Sequence, residues 1–460
     1  MIILAGSSSE FGQFIKTGGI VGLGLGACEA YPAYSSPSAA IRERRARRPA
    51  LKYPPLRIKC RLLSVISFSP NKPEETPMIT VKCTAAALAA LLLTACATPV
   101  RDPALVTRDL RIPHVSTVAG NAGQQVQLFA RQKVAAALSA APQNMAGRVV
   151  LFVHGATVPS VPDYDFEYGS YNWMAHMARA GFNAYSMDLS GYGGSPRPGM
   201  DDPCNLDPKQ HALLAGRPST AGCTPGQRTQ FNTIRDDWNE IDAVVDHLRR
   251  ANGVQRVHII GWSAGGPRVG GYVAQHPEKI DRVMLYAPSP TIDGPLPERP
   301  RPGYPMSLQT RDDFEKKRWD PDVRCPGQVE PGVRDALWKA IMDWDRTGAS
   351  WGPAEGVMRG RAATQFGWTR ELAAKVTPPT LVMVGEFDRL AERKTVYQQL
   401  GATDKVFVNV TCASHFMVWE KQHRALQDAS VEWLQTGTLK GLKRGELRVD
   451  PAGTFVRVEH

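Results

Sequence analysis

The stretch Val257-His258-Ile259-Ile260-Gly261-Trp262-Ser263-Ala264-Gly265-Gly266 constrains this chain more than any other. Its short, β-branched apolar run predicts a buried strand. The run breaks at G-x-S-x-G, and the small residues that follow open a helix. A strand that becomes a helix within so few residues brings two backbone segments together, so a Cβ at Gly261 or Gly265 would collide. The serine between them is held on a sharp turn, with its hydroxyl above the edge of a sheet. G-x-S-x-G alone is moderately specific. A strand before it and a helix after it make it a strong signal for a strand–helix fold with a serine on display.

Four more elements surround this turn in a set order. Val149 to Val153 is an apolar strand that runs into His154-Gly155-Ala156-Thr157. Asp188-Leu189-Ser190-Gly191-Tyr192-Gly193-Gly194-Ser195 ends another strand. Pro379 to Asp388 is a third, an apolar run ending in an acid. Lys405 to Val410 is a fourth, followed by Ala413-Ser414-His415-Phe416. With five elements in this order, the chain resembles the α/β-hydrolase superfamily from about residue 106 to 436. The resemblance implies an α/β-hydrolase fold: a mostly parallel central sheet flanked by helices, with a helical cap insertion. It also implies a Ser263-Asp388-His415 triad.

Those residue types suit acyl transfer. A serine hydroxyl is a weak nucleophile at neutral pH, so it needs a base, and the base needs an acid to fix its tautomer. The oxyanion needs donors already aimed at it. By the family pattern these are the backbone N–H groups of Ala156 and Ala264, with His154 as a structural histidine of the loop. Glu386 stands two residues from Asp388, on the same face of the strand, and is the fallback acid. The resemblance does not imply a substrate.

The organisation expected is a core over 106–288 and 377–436, a cap over 289–376 and a C-terminal hairpin over 437–460. Leu110 to Val118 and Gln125 to Val134 read as the first antiparallel strands, and Tyr171 to Ala180 as a helix. In Phe231 to Asn252, Ile234, Trp238, Ile241, Val245 and Leu248 recur at helical spacing and form a core stripe. The cap has helical patterns around 311–319, 332–346 and 364–375. It also holds Trp319, Trp338, Trp344, Trp351 and Trp368, half of the chain's 10 tryptophans. Some must form the cap's own core, yet an aromatic cap over a cleft favours an apolar or aromatic substrate. Asp450-Pro451-Ala452-Gly453 between two short apolar runs signals the hairpin.

The net charge of +11 is unevenly placed. Residues 1–96 carry 12 Lys/Arg against 5 Asp/Glu, and the remainder carries 43 against 39. The basic balance therefore belongs to the N-terminal segment and does not argue for nucleic-acid binding by the folded part. Residues 1–77 read as disordered or as a spurious extension. Gly22-Leu23-Gly24-Leu25-Gly26 lacks the βαβ setting of a dinucleotide loop, and Arg42 to Arg48 reads as a solvated run. Residues 78–96 have one positive charge, a short apolar stretch and small residues, which together make a secretory signal. The apolar stretch is too short to span a bilayer. Leu93-Thr94-Ala95-Cys96 resembles a bacterial lipobox, which implies lipidation of Cys96. Cleavage after Ala97, giving a soluble periplasmic protein, is the competing expectation, and a buried helix of the domain is the plainest. Because a signal sequence belongs at a start codon, Met78 is the expected true start. The location expected is the periplasm or cell envelope, with membrane contact only through a lipid.

Cys204 and Cys223 bound the polar, Pro/Gly-rich stretch 196–230, and in an exported chain they are expected to pair. Cys325 could instead pair with either, which leaves the connectivity open. No His/Cys/Glu cluster has metal-ligand spacing, and no cofactor is inferred. The reading is a serine hydrolase that cleaves a small-molecule carboxylic ester through an acyl-enzyme. Amide, lactone or C–C bond hydrolysis on the same fold stands as the alternative, and a catalytically inactive ligand-binding lipoprotein as the other.

Overall fold

The computed structural model describes residues 102–140, 144–363, 367–390 and 394–459. The N-terminal extension, the signal region and Cys96 lie outside them. The strands follow from runs too apolar to face water on either side. Val149–Val153 (β3), Asn183–Asp188 (β4), Val257–Trp262 (β5) and Thr380–Gly385 (β9) are buried throughout. Such runs belong in a parallel sheet covered on both faces.

Leu105–Val115 (β1), Gln125–Ala135 (β2), Ile280–Tyr286 (β6), Lys405–Val410 (β10), Gly445–Val449 (β11) and Phe455–Arg457 (β12) complete the central sheet, in the order β1-β2-β4-β3-β5-β6-β9-β10-β11-β12. The pairs from β4 through β11 are parallel. β1/β2, β2/β4 and β11/β12 are antiparallel. The C-terminal hairpin is thus not an appendage. β11 lies alongside β10 and carries the sheet beyond the boundary expected at residue 436.

Alternate residues of each strand feed two apolar layers. Val150, Phe152, Ile260 and Met284 face the helices Trp173–Arg179 and His423–Thr436. Leu151, Val153, Ile259 and Leu285 face the helices Ile234–Asn252 and Gly265–Gln275. The predicted stripe Ile234, Trp238, Ile241, Val245 and Leu248 lies in the second layer. Thr233 and Asp236 form a capping box at the start of that helix, and Gly253 ends it at φ +62°, so both termini are satisfied locally.

The segment between β6 and β9 holds a π-helical stretch, Asp313–Trp319, and a helix, Val333–Trp344. It also holds a two-stranded antiparallel sheet that its sequence did not announce, Met306–Gln309 (β7) and Met358–Arg361 (β8). Phe314, Trp319, Leu337, Trp338 and Ile341 continue the first apolar layer. Trp351 packs with Met200, Leu206 and Leu214 of the 196–230 stretch and with Phe231 just after it. Trp368 is buried in the second layer. The cap tryptophans are therefore absorbed largely in packing. Cys204 joins Cys223 with an S–S distance of 2.04 Å. Cys325 joins Cys412 at 2.03 Å, 87 residues on. The open alternative of Cys325 with a loop cysteine is replaced by a bridge from the cap to the loop before His415.

Candidate active site

β5 delivers Ser263 on the turn into the helix Gly265–Gln275. Ser263 has φ +56°, a left-handed conformation that a side chain tolerates only when its surroundings enforce it. Its N–H donates to the Tyr286 carbonyl at 3.0 Å. A Cβ at Gly261 would lie 2.4 Å from the Gly265 oxygen, and one at Gly265 would lie 2.4 Å from the Val153 oxygen. Both glycines are there because backbone crosses backbone.

β9 and β10 deliver the partners. The Ser263 hydroxyl lies 2.8 Å from His415 Nε2. His415 Nδ1 lies 3.0 Å from Asp388 Oδ2 and 3.1 Å from Oδ1. Asp388 Oδ1 also accepts the Leu390 N–H at 2.8 Å. The His415 carbonyl accepts from Trp262 Nε1 at 3.1 Å and from the Tyr286 hydroxyl at 2.6 Å. The histidine loop is thereby tied to the strand that carries the serine. Glu386 points elsewhere, and its Oε2 accepts the Cys412 N–H at 3.2 Å.

The loop after β3 is held from beneath. His154 Nδ1–H donates to the Gly155 carbonyl at 2.8 Å, and Nε2 accepts the Leu189 N–H at 3.1 Å. Burial holds its pKa well below the ordinary value, and Arg268 adds to this. The ring is a neutral strut, with its tautomer set by these two bonds. Arg268 Nη1 donates to the carbonyls of His154 and Gly155 at 2.8 and 2.7 Å. The Tyr192 hydroxyl donates to the Ala156 carbonyl. These contacts fix the peptide planes on which the Ala156 N–H depends. Ala264 follows the serine, at the mouth of its helix.

Several residues of the site were not singled out from sequence. Asp237, buried, accepts from Arg268 Nε at 2.8 Å and from Arg361 Nη2 at 2.6 Å. Through Asp237 these two bonds join the helix Gly265–Gln275 to β8 in the cap. Glu420, also buried, accepts the Ser414 N–H at 2.8 Å, Trp319 Nε1–H at 2.8 Å and Gln328 Nε2–H at 3.1 Å. Burial pushes its carboxyl above the usual range despite these donors. Arg268 was the signal within reach, as a charge set in the first turn of an otherwise small and apolar helix.

Among the described residues, no group of three or more His, Cys, Asp or Glu is placed to hold a metal ion, and no helix is long and apolar enough to cross a membrane.

A family model described as alpha/beta hydrolase fold matches residues 148–422. No curated protein matches the sequence. Among solved structures, a thermophilic esterase from Thermogutta terrifontis is 16% identical, covering 71% of this chain and 98% of its own, with a TM-score of 0.43. A naproxen esterase from Bacillus subtilis is 15% identical, covering 71% and 92%, with a TM-score of 0.40. A 2-hydroxy-6-oxo-6-phenylhexa-2,4-dienoate hydrolase from Rhodococcus sp. strain RHA1 is 15% identical, covering 72% and 99%, with a TM-score of 0.42.

Proposed function

The chain belongs to the α/β-hydrolase fold family, matched over residues 148–422, and on that footing we propose that it is a serine hydrolase cleaving a carboxylic ester. The observation that carries this reading is the unbroken hydrogen-bonded line from Ser263 through His415 to Asp388.

In this mechanism the ester carbonyl lies between Ser263 and the amides of Ala156 and Ala264. His415 Nε2 takes the hydroxyl proton as Oγ attacks the carbonyl carbon. The two amides receive the oxyanion, and Asp388 stabilises the imidazolium. His415 then returns the proton to the departing alcohol oxygen, leaving an acyl group on Ser263. Water, deprotonated by the same histidine, releases the acid and restores the serine.

A fluorophosphonate probe should label Ser263. A panel of p-nitrophenyl esters of varied chain length should be hydrolysed faster than matched amides and lactones. Faster cleavage of the amides or lactones would move the assignment to that class. No labelling, together with full activity in Ser263→Ala, would remove the serine from the chemistry.

We also propose that the chain is exported to the bacterial envelope and lipidated at Cys96. The pattern of residues 78–96 supports export, and so do two disulfides in a chain of 8 cysteines, since such bridges persist in oxidising compartments. Expressed from Met78, the protein should fractionate with membranes, and Cys96→Ala should release it. A location indifferent to that substitution would exclude the anchor.

A further inference from the structure

A cavity of about 430 Å³ adjoins the oxyanion loop, with Ala156 and Thr157 on one wall. Gln210, Gln230, Gln309 and Arg318 also line it. Arg318 stands on the π-helical stretch Asp313–Trp319. Its Nη1 donates to Thr157 Oγ1 at 3.0 Å and to Gln309 Oε1 at 3.2 Å. Its guanidinium carbon lies 5.9 Å from the centre of the Phe416 ring, one residue past His415. The cation thus stands between the loop that supplies an oxyanion donor and the loop that supplies the base.

The charges around Arg318 differ from it in one respect. Arg361 on the same cavity wall is neutralised by Asp237 at 2.6 Å. Asp313 is paired with Lys317. The neighbouring Arg389 is paired with Asp322 at 2.9 Å. Among the described residues, Arg318 has neutral oxygens as its hydrogen-bond acceptors, and burial together with Arg389 lowers its pKa from the ordinary value. A guanidinium stays charged under such conditions, and a desolvated charge without a counter-charge is costly. Among the described residues, this cation stands between those two loops with part of its donor fork unspent.

We propose that Arg318 recognises a carboxylate on the substrate, which is then an ester bearing an anionic group a few atoms from the scissile carbonyl. This inference rests on the serine-hydrolase reading above. One guanidinium suits a monoanion. A phosphate dianion would call for a second free cation, and Arg361 is already taken. The forked donors of an arginine match the two oxygens of a carboxylate.

Two pairs of esters test this. 4-Nitrophenyl hydrogen glutarate is set against 4-nitrophenyl valerate, with the carboxylate on the acyl side. 4-Carboxyphenyl butyrate is set against phenyl butyrate, with the carboxylate on the leaving side. In at least one pair the wild type should favour the anionic ester in kcat/KM. Arg318→Gln should lower the anionic member about tenfold to a hundredfold more than the neutral one. Equal losses on both members of both pairs, or no wild-type preference, would overturn the proposal. Fluorophosphonate labelling of Ser263 reports separately on the underlying mechanism. If no ester turns over, calorimetric binding of monomethyl glutarate to Ser263→Ala decides instead. Binding lost on adding Arg318→Gln sustains the carboxylate site. Binding that is unaffected, or weaker than that of inorganic phosphate, overturns it.

Discussion

His415 gives its Nδ1–H to Asp388, 3.0 Å away, while Glu386, two residues earlier, spends its carboxylate on the N–H of Cys412. The two acids share a strand end and have different partners. Asp388→Asn should therefore lower kcat by about 10⁴, through loss of the correct imidazole tautomer. Glu386→Gln should cost less than tenfold, because an amide oxygen still accepts from Cys412. Steady-state kinetics on one p-nitrophenyl ester compares them directly. A severe Glu386→Gln beside a mild Asp388→Asn would reverse their roles.

In the proposed mechanism Ser263 and His415, 2.8 Å apart, act as one proton-transfer unit. Ser263→Ala and His415→Ala should each reduce kcat by about 10⁴ to 10⁶, and the double variant should fall little further. Multiplying losses would indicate independent functions and count against the shared mechanism.

Asp237 is buried between Arg268 and Arg361. Asp237→Asn leaves two buried guanidiniums facing a neutral amide. Removing one partner of a buried ion pair costs about 3–5 kcal/mol, and here two pairs are broken at once. Urea unfolding should show a drop of at least that size. A change under about 1 kcal/mol would mean that the cations find other partners.

Glu240, fully buried on the helix Ile234–Asn252, has its carboxyl pushed up from 4.5 to about 7 by burial, against the pull of Arg361. Below about pH 4.5 the group is protonated whether the chain is folded or not. Between about 4.5 and 7 the folded chain keeps a proton that the unfolded chain has released, so stability falls as pH rises. Above about 7 both forms are ionised and the loss levels off, on the order of 3 kcal/mol. Burial pulls His258 down to about 4, and that group acts in the opposite sense over much of the same range. Glu240→Gln separates the two. In denaturation from pH 4 to 8 the wild type's stability should fall relative to the variant's by on the order of 3 kcal/mol, and parallel profiles would contradict the assignment.

The order serine, acid, histidine was legible because each residue follows a short apolar strand, and such strands advertise themselves locally. Gly261 and Gly265 carried their meaning in the same way, through a steric demand within a few residues. What was not legible depends on chain segments far apart. Cys325 and Cys412 are 87 residues distant, and nothing near either one names the other. β8 reads Met358-Arg359-Gly360-Arg361, which is no strand pattern, yet it is buried throughout. Its arginines are inside because Asp345 lies 2.6 Å from Arg359, as Asp237 lies from Arg361. The five cap tryptophans announced apolar burial but not its direction, since aromatic side chains fill a core and line a cleft equally well.

The short C-terminal hairpin has a bearing on self-association. Without it β10, whose Val406, Phe407, Val408 and Val410 are buried, would end the sheet as an apolar ladder of open N–H and C=O groups. Such an edge templates the addition of a strand from another molecule. β11 occupies those groups, and the edge passes to β12, three residues long and bearing Arg457. A brief, charged outermost strand offers a neighbour little to pair with. At this end of the sheet, the hairpin leaves little for a strand of another copy to join.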